Sequence, residues 1–197
     1  MINVLSKITG GLIPAYRLGA QVSDGPVSSS KFKENLDGRL EKLRNRGEQP
    51  IICYEVAIHA ARAGNAITKE AEKTLKAEKN YSINYLALMN ISASTSRGYF
   101  DSREIKESGF LNFEQQGNGI QHTAYLHKDS NGTLILAHNN SLSLDKELSP
   151  TNGQPECRGG ANVYNITSGY DADINRYMTN NNYSFHYTPA SKINEKF

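Results

Sequence analysis

Residues 109–140 read GFLNFEQQGNGIQHTAYLHKDSNGTLILAHNN, and this stretch decides the fold. Before Gly109, apolar residues recur at helical spacing. After it they come in short β-branched and aromatic blocks separated by turn residues, the pattern of strands. Three strands are predicted, 109–116, 119–128 and 133–140. The last two flank DSNG, 129–132, whose Asn131-Gly132 pair is the strongest hairpin signal in the chain. With Asn131-Gly132 as a two-residue turn, Ser130 opposes Thr133, Ala124 opposes Asn139 and His122 opposes Ser141. His122, Ala124, Leu126, Ala137 and Asn139 then share one face, and Thr123, Tyr125, His138 and Asn140 share the other. Asn139 becomes the diagonal neighbour of His122. A slip of one residue gives that place to Asn140.

Toward the N-terminus the period is helical. KFKENLDGRLEKLRNR, 31–46, repeats Phe32, Leu36, Leu40 and Leu43, and Gly47 can end it. Pro50 favours an extended approach to IICYEVAIHAARAGN, 51–65, where Cys53, Val56, Ala57, Ala60 and Ala61 form a small-residue stripe. Helices follow at 67–79, capped by Thr68, and at 80–92; SASTSRGYFDS is a loop and 102–109 a short helix. After the hairpin come a loop over 145–160, a strand at 161–167, a helix at 171–178 and a last strand at 182–190. Helices first and strands later predict an α+β fold, a helical N-terminal half packed on a C-terminal antiparallel sheet. Residues 1–30 lack a sustained period and read as a loosely ordered leader; 31–197 read as a single domain.

The 197 residues carry 22 Lys plus Arg against 20 Asp plus Glu, a net charge of +2, which gives no general grip on nucleic acid. Two cysteines exclude a disulfide-dense scaffold and a four-cysteine zinc site. No HExxH or CxxC spacing is present, so no metal and no cofactor is expected. No apolar stretch is long enough for a membrane span or a classical signal peptide. A protein that leaves its cell without such a signal, or one that stays in the cytoplasm, is expected.

Cys53 stands where the extended approach turns into a helix. The positive end of the helix dipole favours its thiolate, the competent nucleophile, which needs a base. His59 lies on the same helix but points elsewhere; His127 sits beside the turn and is expected to face solvent. His122, at the start of a strand, is the candidate base, with Asn139 to orient it. Cys157 lies in a glycine-rich loop without a neighbouring base, and a Cys53–Cys157 disulfide would defeat the catalytic reading.

IICYEVA, GIQHTAYL and LILAHNN, in the order Cys, His, Asn, resemble the papain-like cysteine hydrolase superfamily, which includes proteases, amidases, deamidases and bacterial effectors and toxins. The resemblance spans about residues 49–141. It implies a papain-like domain in which Cys53 is the nucleophile, His122 the base, Asn139 the orienting residue and Gln49 the oxyanion-stabilising glutamine. It implies a protein substrate, cleaved or deamidated, and a delivered effector or toxin. Two other classes are kept: a non-catalytic interaction protein with Cys53 in its core, and an ADP-ribosyltransferase toxin. The latter rests on SASTSR, which resembles the Ser-Thr-Ser element of that class, without the Glu-x-Glu pair that should follow.

Overall fold

The computed structural model describes residues 25–48, 50, 52–77, 94–96, 99–149, 160–167 and 169–197. The leader up to residue 24, the helix expected at 80–92, Gln49 and Cys157 lie outside these residues. The N-terminal half supplies α1 (Ser29–Asn45), α2 (Cys53–Ala63) and α3 (Lys69–Ala77). Then come β1 (Ser94–Ser96), a 3-10 turn at Ser102–Glu104, β2 (Gly109–Gln115), β3 (Gly119–Lys128) and β4 (Leu134–His138). The chain continues through α4 (Leu142–Leu148), β5 (Asn162–Asn165), α5 (Asp171–Asn181), β6 (Tyr183–Pro189) and α6 (Ala190–Lys196). The fold is α+β.

Each helix has a local cause. Ser28 caps α1 by accepting from Lys31 N, and Phe32, Leu36 and Leu40 bury one stripe. Thr68 Oγ1 accepts from Ala71 N at 3.0 Å and opens α3. α5 ends at Asn182, whose φ of 54° is left-handed.

The strands form one antiparallel sheet in the order β1-β6-β2-β3-β4-β5. Strand alternation divides its side chains between two cores. Phe110, Tyr125, Ile135 and Ala137 face α1, α2, α3 and α6. Leu111, Phe113, Ala124, Leu126, Leu134 and Leu136 face α4 and α5. The sheet is therefore covered on both faces. Among the described residues no helix is long and apolar enough to cross a membrane.

The 129–132 hairpin differs from the expected two-residue turn. Gly132 N donates to Asp129 O and Asp129 N to Thr133 O, so the loop has three residues, and Gly132 takes a φ of +82°. This is a type I turn closed by a left-handed glycine. Asp129 selects it: its Oδ1 accepts from Asn131 N and Thr133 N, both at 2.9 Å. The extra loop residue shifts β4 by one, so Tyr125 opposes Ala137 and Leu126 opposes Leu136. His138 consequently joins the face of His122, and Asn139 turns to the other.

Four further expectations are corrected. Ser94–Ser96 is a strand paired with β6, not a loop. Most of 102–109 is not helical, because Gly109 already begins β2. The expected 145–160 loop begins inside α4, where Ser141 accepts from Leu144 N and Leu144 and Leu148 are buried. His127 does not face solvent: its ring is stacked at 4.4 Å on Phe32 of α1, and its Nε2 donates to Val27 O at 2.8 Å.

Asp129 also accepts from Ser29 Oγ at 2.6 Å, tying the turn to the start of α1. Asp129→Ala should therefore lower stability by about 2 kcal/mol, as expected for hydrogen bonds to a charged group. Gly132→Ala should cost about 1 kcal/mol through backbone strain alone, since nothing lies within 4 Å of its missing Cβ. Urea denaturation of both variants tests this turn; unchanged midpoints would refute it.

Candidate active site

Cys53 is the first residue of α2, entered from an extended Ile52 that gives no side-chain cap. The first-turn N–H groups of α2 thus gather beside the thiol. At the other end of α2, Gly64 lies against the far part of β3: a Cβ there would stand 2.7 Å from both Tyr125 Oη and His127 Nδ1. Glycine is required for this close approach. The Gly64 end of α2 is thus held against Tyr125 and His127 of β3.

A second set of groups lies on the opposite face. His122 Nε2 is 3.2 Å from His138 Nδ1, and the rings meet edge to face. His138 Nε2 is 3.2 Å from Asp145 Oδ1. Asp145 also accepts from Tyr164 Oη at 2.6 Å and Asn162 Nδ2 at 2.9 Å. Burial acts to raise the Asp145 pKa, but the hydrogen bonds from His138, Tyr164 and Asn162 outweigh it and hold the carboxyl below its usual range. An ionised Asp145 accepts only. A neutral His138 then carries its proton on Nε2 and presents an unprotonated Nδ1, to which His122 Nε2–H donates. The chain of tautomers leaves the lone pair of His122 on Nδ1. Burial, then the neighbouring His138, pushes the His122 pKa well below its ordinary value, so the ring is neutral.

His122 borders a small cleft of about 250 Å³ with Gln121, Asn140, Ser141, Leu142, Ser143, Tyr177 and Tyr183. Asn140, at a φ of 57°, brings the chain out of β4 into this cleft. Tyr177 Oη lies 3.3 Å from Ser141 Oγ, and its ring packs edge-on against Phe113, which stacks on His122. Burial raises the Tyr177 pKa, and negative charge on Tyr183 and Cys53 adds to that rise. Tyr177 lines the His122 cleft, and Cys53 is among the groups that act to raise its pKa.

The expected neighbourhood of His122 is corrected in one respect. Asn139 does not orient it; the three-residue turn gives that position to His138. Asn139 instead continues the face on which α2 packs. There a buried polar row crosses the sheet in register, His186 on Asn112 and Asn112 on Thr123, with Asn139 extending it past β4. Thr123 Oγ1 donates to Asn112 Oδ1 at 2.9 Å, and His186 Nε2 lies 2.6 Å from Glu114 Oε2. Asn112 Nδ2 and both amide atoms of Asn139 have no partner. Each such orphan costs about 1–3 kcal/mol. Asp145 and Tyr177 were missed in the sequence; both sit on helices that only the folded sheet brings beside the histidines.

The model of a family described as Domain of unknown function (DUF8038) matches residues 32–197, and the chain belongs to that family. No curated protein and no solved structure matches the chain.

Three buried histidines have depressed pKa values, which fixes a pH dependence of stability. His59 is pushed down to about 3 by burial and by the Lys76 and Arg39 cations. His122 is lowered by burial and His138; His127 is lowered by burial. Below the ordinary value of 6.5 the unfolded chain binds protons that the folded chain refuses. Stability should be full above that pH and fall below it by about 1.4 kcal/mol per pH unit for each histidine. Thermal melts from pH 7.5 to 5 should show this loss, and His59→Gln should flatten it. A Tm that does not change over this range would contradict the neutral, buried state of these rings.

Proposed function

We propose that this member of the DUF8038 family is a thiol-dependent acyl-transfer hydrolase acting on protein targets. Cys53 is the nucleophile, His122 the general base and acid, and His138 with Asp145 the pair that orients His122. The observation that carries the reading is the chain Asp145–His138–His122, which fixes the proton-accepting nitrogen of a neutral imidazole at Nδ1. The charge coupling between Cys53 and Tyr177 supports a thiol close to the His122 cleft. α2 and the histidine chain lie on opposite faces of the sheet, so this reading requires the thiol and the imidazole to meet around the end of the sheet.

The chemistry follows from these parts. Cys53 Sγ attacks a carboxamide carbon as its proton passes to His122 Nδ1. The N–H groups of the first turn of α2 stabilise the oxyanion. His122 then delivers the proton to the leaving nitrogen as the C–N bond breaks. Water, deprotonated by His122, hydrolyses the thioester and regenerates the thiol. The resemblance of IICYEVA, GIQHTAYL and LILAHNN to papain-like hydrolases supports the same assignment. It is also what supports a protein secreted without a classical signal and acting as an effector or toxin.

Purified protein incubated with a host lysate, followed by mass spectrometry for cleaved chains or amide-to-acid conversion, tests the reading. Cys53→Ala should abolish the change at a stability cost of at most about 1–2 kcal/mol. His122→Ala should be as inactive. Asp145→Asn, which can donate to His138 and reverse both tautomers, should lose about 10²–10⁴-fold. A Cys53→Ala protein that still modifies its target would overturn the assignment.

A further inference from the structure

The surface formed by α1, α2 and α3 is strongly basic, although the chain as a whole is not. Two clefts open on it. One, of about 410 Å³, is lined by Arg39, Lys42 and Arg62 with Glu34. The other, of about 340 Å³, is lined by Lys69, Lys73 and Lys76 with Glu72. Glu72 joins them, because its carboxylate pairs with Arg39 and Arg62 of the first cleft and with Lys76 of the second. Six cations thus meet two carboxylates, and Glu34 is already held by Lys31 at 2.9 Å. The whole chain carries 22 basic against 20 acidic residues, so the remainder is left with 16 against 18. The positive charge of the chain is concentrated in these clefts.

Lys69, Lys73 and Lys76 fall at i, i+4 and i+7 of α3, a spacing at which like charges repel. Lys42, Lys69 and Lys73 are exposed and make no ion pair among the described residues. Arg39 and Arg62 are half-buried and held in place: Arg39 Nε donates to His59 Nδ1 at 3.0 Å, and Arg62 donates to Ile67 O. The charges of Lys76 and Arg39 add to burial in keeping His59 neutral. We propose that this face is the docking surface for an acidic segment of a protein partner, whose carboxylates seat in the two clefts on either side of Glu72. Charge complementarity selects an anion. Spacing suits a peptide, since Lys69 to Lys76 spans about 10 Å of α3, the reach of about three extended residues. Among the described residues the large exposed hydrophobics are Tyr99 and Leu142, and neither lines these clefts. The clefts therefore offer no ring for a nucleic-acid base to stack on and no apolar wedge for a bilayer. Arg62 lies nine residues along α2 from Cys53, about 14 Å, so this surface is separate from the proposed site and independent of its chemistry.

Fluorescence anisotropy with a labelled hexaglutamate peptide tests this. Labelled hexaglutamine and an oligothymidylate of equal charge are the comparison probes, and cosedimentation with phosphatidylserine vesicles is the third. Hexaglutamate should bind at least about tenfold tighter than hexaglutamine at low salt, and its affinity should fall as salt is raised. Lys42→Gln/Lys73→Gln, one change in each cleft, should weaken binding at least about fivefold. Lys33→Gln/Lys146→Gln removes the same charge from exposed positions outside the clefts and should change binding by less than about twofold. The first pair is also exposed, so its melting temperature should match that of the unchanged protein. Should it fail to fold, the amide chemical shifts of the unchanged protein give the second reading: added hexaglutamate should move those of 39–42, 62–63 and 69–77. Equal loss in the two double variants, or shifts spread over the whole surface, would reduce the effect to net charge and overturn the site. Binding of the oligothymidylate or of the vesicles as tight as that of hexaglutamate would overturn the acidic protein partner. Hexaglutamate bound no tighter than hexaglutamine would overturn the docking surface altogether.

Discussion

The carboxylate of Asp129 sets the register on which the rest of the site depends. By accepting from Asn131 N and Thr133 N it holds a three-residue loop, and Gly132 supplies the left-handed residue that loop requires. In a sheet with two different cores, a shift of one residue exchanges every side chain between faces. Here it sends His138 to His122 and Asn139 to the side of α2. The same carboxylate receives Ser29, so the start of α1 and the sheet are fixed by one group. Phe32 can then stack on His127, and the helical half is seated against the strands.

Two polar systems result, one on each side of the sheet, with different degrees of completion. On the α4–α5 side, Asp145 is saturated by His138, Tyr164 and Asn162, and its charge dictates the tautomers of two rings in turn. On the α2 side, Asn112 is half paired and Asn139 unpaired. Tyr177 packs edge-on against Phe113 and lines the cleft that His122 borders.

Much of this was legible in the residues themselves. The stripes of Phe32, Leu36 and Leu40, the small-residue face of α2 and the alternation in 109–128 are decided by local periodicity, and the elements stand where that periodicity puts them. The start of α2 at Cys53 follows from Pro50 and the extended Ile52. The turn was harder, because Asn-Gly suits a two-residue loop as well as the last two positions of a three-residue one. The choice belongs to the Asp129 side chain, and with it went the partner of His122. His127 looked exposed beside a turn because nothing local shows that α1 covers it. α4 was hidden in a segment that Pro150 and the glycines after it make loop-like, although Ser141, Leu144 and Leu148 carry its cap and apolar face. Asp145 could not be found without α4.

The account turns on where two protons sit. Nitrogen NMR of the histidine rings at pH 7, with His122 and His138 assigned by substitution, reads this directly. It should show both rings neutral, each with its proton on Nε2 and with Nδ1 unprotonated. A proton on His122 Nδ1, or a charged His122 ring, would contradict the Asp145–His138–His122 chain and remove the base from the proposed site.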